Sequence, residues 1–191
     1  MREFVLFFLS VFAVFMVVNK VHKRNQEISQ VKSTVDNRTY IVRKLPDALL
    51  AANKLAEINK KILKLLDKLK DKDRDGISTL KERYNPNELS ETGLGAKYTS
   101  YSVNKGEKIS ICVRHKDKTF IDDNIIIFVV IHELAHVMTT SIGHTPEFWE
   151  NMAFLLEEGE KVGIYKPENY KENPVDYCGM EINSTPYKKF K

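Results

Sequence analysis

The chain has 191 residues, of which 42% are hydrophobic and 29% are charged, with 30 Lys and Arg against 26 Asp and Glu. A chain of this length and composition can bury its own core, which excludes a disordered, fibrous or low-complexity protein. Its two cysteines are too few for a disulfide framework or a Cys-based zinc cluster, so both are expected to be packed or incidental thiols.

The first predicted element is the apolar segment FVLFFLSVFAVFMVV, from Phe4 to Val18. The residues that follow, NKVHKRN, lack the small side chains of a signal-peptide cleavage site, so a cleaved leader is the weaker alternative. The segment predicts a single-pass transmembrane anchor over residues 1–20, although a short one. Its basic C-terminal flank predicts that the domain behind it lies on the cytosolic side.

Positive charge is concentrated behind this segment, because Lys20 to Lys81 contains sixteen Lys or Arg against eight Asp or Glu. Residues 21–37 are predicted to be a basic juxtamembrane stalk, and residues 38–191 the folded domain. A basic stretch of this kind can contact anionic lipid headgroups or nucleic acid. A solvated helix face explains it more simply.

A strand and a long helix are predicted at the start of the folded domain. The segment RTYIVR (Arg38–Arg43) is rich in β-forming residues. From Pro46 to Lys70, apolar residues then recur at helical spacing with lysines between them. This pattern predicts an amphipathic helix laid on a core.

The next stretch, DKDRDGISTLKE from Asp71 to Glu82, partly matches a calcium-binding EF-hand loop. Acidic residues and a glycine occupy the family's positions, at Asp71, Asp73, Asp75, Gly76 and Glu82. However, Ser78 stands where the family has an apolar residue, and Pro86 would end the exit helix early. A polar interhelical loop is therefore the favoured interpretation, with Ca²⁺ binding as the alternative.

Two further β-rich segments, YTSYSV (Tyr98–Val103) and KISICVR (Lys108–Arg114), predict a hairpin closed by NKGE. If this hairpin forms a sheet edge, it can hold an extended peptide by main-chain hydrogen bonds. The hairpin would then supply the peptide-binding side of an active site.

The run NIIIFVVIHELAHVM predicts a helix, capped by Asp122 or Asp123, that is apolar on almost every face. His132 and His136 lie about one turn apart, so both imidazoles can ligate one zinc ion. Glu133 can act as the general base for the metal-bound water. Packed histidines would produce the same pattern by chance, but burying these polar groups without a metal is costly.

A catalytic zinc needs a third protein ligand. Gly143 breaks the helix and His144 follows it, while the TPE that comes next predicts the start of another helix. His144 is therefore the predicted third ligand. Glu147 and Glu150, on the new helix, are the alternatives.

The stretch HELAHVMTTSIGHTPEFW resembles the signature of the WLM and SprT-like zinc metallopeptidases. Together with KYTSYSVNKGEKI before it and ENPVDYCGM after it, the arrangement is most similar to WLM-domain proteins of large DNA viruses. This resemblance implies one zinc ion held by His132, His136 and His144, with Glu133 as the catalytic residue. It also implies protein substrates, including DNA-crosslinked proteins or proteins that carry ubiquitin-like modifiers, and it agrees with a viral or virion membrane.

The sequence therefore predicts an α+β, zincin-like fold in which a small sheet packs on the buried HExxH helix and a following helix, behind an N-terminal transmembrane helix. The predicted function is that of a zinc-dependent metallopeptidase. One alternative is a membrane-tethered, catalytically silent zinc-binding protein, and another is a deformylase-like hydrolase that uses Cys112 as a ligand. Tyr165, Tyr170 and Tyr177 are candidates to stabilise an oxyanion.

Overall fold

The computed structural model describes residues 9, 11–19 and 27–190. The main sheet is built from β1 (Ile28–Lys32), β2 (Thr39–Arg43), β3 (Leu89–Glu91), β4 (Tyr101–Val103) and β5 (Lys108–Ile111). Across the sheet the strand order is β1-β2-β3-β5-β4, which leaves β4 at one edge. The two outer pairs are antiparallel, whereas β3 is parallel to both of its neighbours.

The helices and a second, small sheet complete the fold. The helices are α1 (Ala48–Lys68), α2 (Ile77–Arg83), α3 (Asp123–Met138) and α4 (Pro146–Lys161). A C-terminal hairpin pairs β6 (Val175–Tyr177) with β7 (Met180–Ile182). The predicted α+β class is confirmed, and the predicted hairpin before the HExxH helix is present as β4 and β5.

The connection from β2 to β3 runs through α1 and α2, as a crossover between parallel strands requires. α1 packs against β1, β2 and β3. Its inner face is fully buried at Leu55, Ile58 and Leu65, each of which contributes about 1.5–3 kcal/mol relative to an exposed side chain. The helix starts two residues after the predicted Pro46, because Asp47 occupies the N-cap position.

α3 lies at the centre of the domain, in contact with α2, α4, β4 and β5. Its apolar side chains are buried around almost the whole circumference, as the sequence predicts for a central helix. Asp122 caps it, since its carboxylate accepts a hydrogen bond from the backbone N–H of Asn124 at 2.8 Å. The HExxH motif therefore stands on a rigid element packed from several sides.

A buried ionic network joins the sheet to the start of α1. Arg114 is 1% exposed, and its Nε lies 2.9 Å from Oε1 of the buried Glu91 on β3. Arg114 Nη1 also contacts Asp47, the N-cap residue of α1, at 2.5 Å. Glu91 in turn accepts the backbone N–H of Arg43 on β2 at 2.8 Å. Glu91 and Arg114 thus each have an opposite charge beside them, which offsets the cost of burying them.

The segment from Asp71 to Glu82 forms a turn, a loop and most of α2. Gly76 has a φ of 82°, and a Cβ at this position would lie 2.2 Å from the carbonyl oxygen of Met138 at the end of α3. The glycine is therefore required for the close packing of this loop against the HExxH helix. Within the described ranges, the acidic side chains of the loop are not brought together as a group of metal ligands, and Ca²⁺ binding at this loop stays an alternative prediction.

The predicted membrane localisation is wrong, because no helix formed by the described residues is long and apolar enough to cross a bilayer. The helical stretch at residues 11–19 covers about 14 Å at ~1.5 Å per residue, against a hydrocarbon core of ~30 Å. The remaining residues of the predicted anchor, 1–8, 10 and 20, lie outside the described residues.

The segment predicted as a stalk, residues 21–37, contains part of the folded domain. Residues 21–26 lie outside the described residues, but Ile28–Lys32 is strand β1 and pairs along its whole length with β2. Ser33 and Thr34, which follow β1, both hydrogen-bond the side chain of Asn53 on α1. The folded domain therefore begins before the predicted boundary at residue 38.

Candidate metal centre

Two of the predicted ligands stand on α3. His132 and His136 are four residues apart and project from the same face, with ring centroids 4.9 Å apart. Both are partly buried, and Glu133 between them is 5% exposed. The helix thus places two imidazoles and one carboxylate where the surrounding side chains are apolar.

The third histidine comes from the loop that joins α3 to α4. Glu147, in the first turn of α4, accepts hydrogen bonds from the backbone N–H groups of Thr140 at 2.9 Å and Ser141 at 3.3 Å, and from the Ser141 hydroxyl at 2.8 Å. These bonds fold the loop back over the end of α3. As a result, His144 Nε2 lies 3.1 Å from His132 Nε2.

The structure brings the three predicted ligands together and leaves the alternatives out. Glu147 is engaged by the loop, Glu150 is exposed on α4, and Cys112 is bonded to another cysteine. Among the described residues, only one group of three side chains is able to hold a metal ion, and it consists of His132, His136 and His144. Their ligand atoms lie within 4.8 Å of one another. Their role as ligands stays a prediction.

Two aromatic side chains of α4 line the histidines. Phe148 is fully buried, and its ring centroid lies 4.3 Å from that of His136, 4.7 Å from that of His144 and 4.9 Å from that of His132. Trp149 stacks on His144 at 5.4 Å and remains 40% exposed. Phe148 and Trp149 therefore pack against the imidazoles and restrict their rotation.

Burial keeps the two helix imidazoles neutral. Burial, followed by the other imidazoles, lowers the pKa of His132 to about 3. Burial, followed by the charges of His144 and Lys105, lowers the pKa of His136 to about 4. Burial also raises the pKa of Glu133 to about 7, an effect that hydrogen bonds from Ser102 partly oppose. Neutral imidazole is the form that ligates a metal.

The donor set and its spacing fit a zinc ion. Two nitrogens bound to tetrahedral zinc at ~2.0–2.1 Å lie about 3.3 Å apart. The separation of 3.1 Å between the Nε2 atoms of His132 and His144 is close to this value, and all three ligand atoms lie within 4.8 Å of one another. Imidazole ligands suit zinc, as they also suit copper, iron and nickel.

Two residues near Glu133 come from strands of the two different sheets. Ser102, on β4, lies beside the Glu133 carboxyl and lowers its pKa, which opposes the effect of burial. Tyr177, on β6, is fully buried, and burial followed by the charge of Glu133 raises the pKa of its hydroxyl. The other two oxyanion candidates, Tyr165 and Tyr170, instead pack against Phe128. Ser102 was missed because nothing in YTSYSV distinguishes it; only its position on an edge hairpin before HExxH could have drawn attention to it.

Cys112 and Cys178 form a disulfide, so the prediction of two free thiols is wrong. The bond joins the residue after β5 to the turn between β6 and β7. Because Cys112 is bonded to sulfur, the deformylase-like alternative with Cys112 as a metal ligand is excluded. The sequence carries no signal for this pairing, since the two residues are 66 positions apart and only the fold brings their Cα atoms to 6.6 Å.

Comparisons with known proteins identify the family of the chain. The family model of the WLM domain matches residues 34–186. A protein of Acanthamoeba polyphaga mimivirus, "Uncharacterized protein R325", is 34% identical over 168 residues, which cover 84% of this chain and 85% of the relative. "Uncharacterized protein 136R" of Invertebrate iridescent virus 6 is 33% identical over 49% of this chain and 53% of its own.

Among solved structures, that of Wss1 from Saccharomyces cerevisiae matches with a TM-score of 0.49 and 21% identity, covering 63% of this chain and 86% of that one. The predicted resemblance to WLM-domain proteins of large DNA viruses is confirmed by the family match and the viral relatives. The DNA-crosslinked or modified protein partners that the resemblance implied stay predictions. The chain belongs to the WLM domain family.

Proposed function

We propose that this protein is a zinc-dependent metallopeptidase that hydrolyses peptide bonds of protein substrates. The observation that carries the proposal is the convergence of three imidazoles on one point, with the buried Glu133 beside one of them on the same helix. Membership of the WLM family, which is related to metallopeptidases, supports the same reaction class.

His132, His136 and His144 would hold the zinc ion, leaving a fourth position for water or a substrate oxygen. When bound, zinc lowers the pKa of water to ~7 and polarises a carbonyl oxygen. Glu133 follows His132 directly and lies beside Ser102, so its carboxylate can take a proton from the attacking water and pass it to the departing amine. Phe148 packs against all three imidazole rings and keeps them in place.

Strand β4 is the proposed binding edge for an extended substrate. One side of β4 pairs with β5, and its other side pairs with no strand among the described residues. Ser102 lies on this strand and contacts Glu133, so a peptide added to β4 would lie beside the carboxylate. Main-chain pairing of this kind accepts many sequences, which suits unfolded or extended protein segments.

The test uses the full chain and the variant Glu133→Gln, with Glu150→Gln as the matched control because Glu150 is exposed on α4. Bound zinc is measured by atomic absorption, and cleavage is followed on casein. We expect one zinc per chain in all three proteins, with cleavage by the wild type and the control only. Zinc in all three without any cleavage would instead indicate the catalytically silent zinc-binding protein, and absence of zinc would overturn the proposal.

A further inference from the structure

We infer that Tyr177 is a positioning residue that fixes the start of β4, the proposed substrate-binding edge, against the end of β5. The effect on substrate binding rests on the proposed function, whereas the contacts of Tyr177 do not depend on that function. Tyr177 lies far along the chain from both strands, on the C-terminal hairpin. Its hydroxyl is nevertheless buried between Ser100, which precedes β4, and Cys112, which follows β5.

The three residues form a closed cycle of hydrogen bonds. The backbone N–H of Cys112 donates to Ser100 Oγ at 3.2 Å, and the Tyr177 hydroxyl donates to the Cys112 carbonyl oxygen at 2.9 Å. The two hydroxyls of Ser100 and Tyr177 are 2.5 Å apart. Because an amide can only donate and a carbonyl can only accept, the Ser100 hydroxyl must donate to Tyr177. Every group in the cycle therefore has a partner, and removing one hydroxyl breaks the cycle.

β4 depends on this support because it is short and lies at the edge. Its ladder with β5 contains three residue pairs, from Tyr101↔Ser110 to Val103↔Lys108. A strand of three residues with one neighbour is weakly held by its own backbone bonds. The cycle continues the connection between the two strands just beyond the end of the ladder, where the Cys112 amide donates to the Ser100 hydroxyl.

The disulfide keeps Tyr177 in place. Cys178, the next residue, is bonded to Cys112, whose carbonyl and amide are both members of the cycle. The disulfide and the hydrogen bond from Tyr177 therefore both join the C-terminal hairpin to Cys112. Since Ser102 is two residues beyond Ser100 and contacts Glu133, loosening the start of β4 would disturb the surface on which a peptide is laid beside that carboxylate.

The test compares Tyr177→Phe with Tyr187→Phe, each in the Glu133→Gln background so that bound substrate is not cleaved. Tyr187 is a matched control, because it is also buried and its hydroxyl bonds Glu160 on α4 instead of the β4 region. Hydrogen exchange of the β4 amides is followed by mass spectrometry, and binding of fluorescein-labelled casein by anisotropy. In the Tyr177→Phe protein we expect faster β4 exchange and about threefold to tenfold weaker binding, the range set by loss of one hydrogen bond.

A second variant, Ser100→Ala, breaks the same cycle at another member. It should reproduce the effect of Tyr177→Phe, and the double variant should be no worse than either single one. In proteins that retain Glu133, KM should rise by a similar factor while kcat changes less than KM. Unchanged β4 exchange in Tyr177→Phe, or an equal effect of Tyr187→Phe, would overturn the inference. If casein binds none of these proteins, the proposed substrate edge fails, whereas the exchange result still decides the role of Tyr177.

Discussion

Loss of the Cys112–Cys178 disulfide should destabilise the domain strongly. The bond closes a loop of 66 residues, and the chain-entropy relation gives about 4 kcal/mol for a loop of that length at 25 °C. Because the total stability of a domain is ~5–15 kcal/mol, this is a large share of it. For a domain of this size the loss corresponds to a decrease in melting temperature of about 8–16 °C.

The assay is thermal and guanidinium-induced unfolding of the wild type, with and without a phosphine reductant, beside the double variant Cys112→Ala/Cys178→Ala. The oxidised wild type should have the highest midpoint. The reduced wild type and the double variant should unfold at lower and similar midpoints, and the double variant should not respond to the reductant. Equal midpoints for oxidised and reduced wild type would refute the reasoning and show that non-covalent contacts hold the C-terminal hairpin.

Three further outcomes follow from the contacts around the histidines and the sheet. Glu147→Ala removes the acceptor that folds the His144 loop, so zinc affinity, measured by competition with a chromophoric chelator, should fall about tenfold; Glu150→Ala should leave it unchanged. Phe148→Ala empties the space below the imidazoles and should lower the free energy of unfolding by about 3–5 kcal/mol in urea titrations; a loss below 1 kcal/mol would mean that the site collapses around the cavity. The hydrogen bond from Arg114 lowers the pKa of Asp47 below its usual value. The ionised Asp47 therefore stabilises the folded state above about pH 4. This contribution is lost as the pH falls through the folded-state pKa. Asp47→Asn should therefore lose less stability than the wild type between pH 6 and pH 3, and equal losses would contradict this.

The parts of the site that could be predicted from the sequence are those that depend on local spacing. His132, Glu133 and His136 are fixed by one helical turn, and the apolar run around them indicates a buried helix. His144 could be predicted because the glycine before it lets the chain fold back, although the helix itself already ends at Met138 and not at Gly143. In each case, residues within a few positions of one another determine the geometry.

The parts that could not be predicted depend on pairing between distant segments. The pairing of Cys112 with Cys178 and the contact of Ser102 with Glu133 exist only after the sheet has formed. Strand Ile28–Lys32 was missed because its sequence, ISQVK, is half polar and it becomes a strand by pairing with β2. The membrane prediction failed because hydropathy alone does not establish a helix long enough to cross a bilayer.

The disulfide also makes the part of the chain that carries the candidate metal centre a covalent ring. Cys112 and Cys178 enclose the three histidines and Glu133, together with the His144 loop, where Ile142 is 92% exposed. The proposed peptidase would be exposed to its own activity, and an exposed loop tip is a preferred site of nicking. A cut in this loop would leave both fragments joined, so the nicked protein would migrate as one species on a non-reducing gel and separate only after reduction.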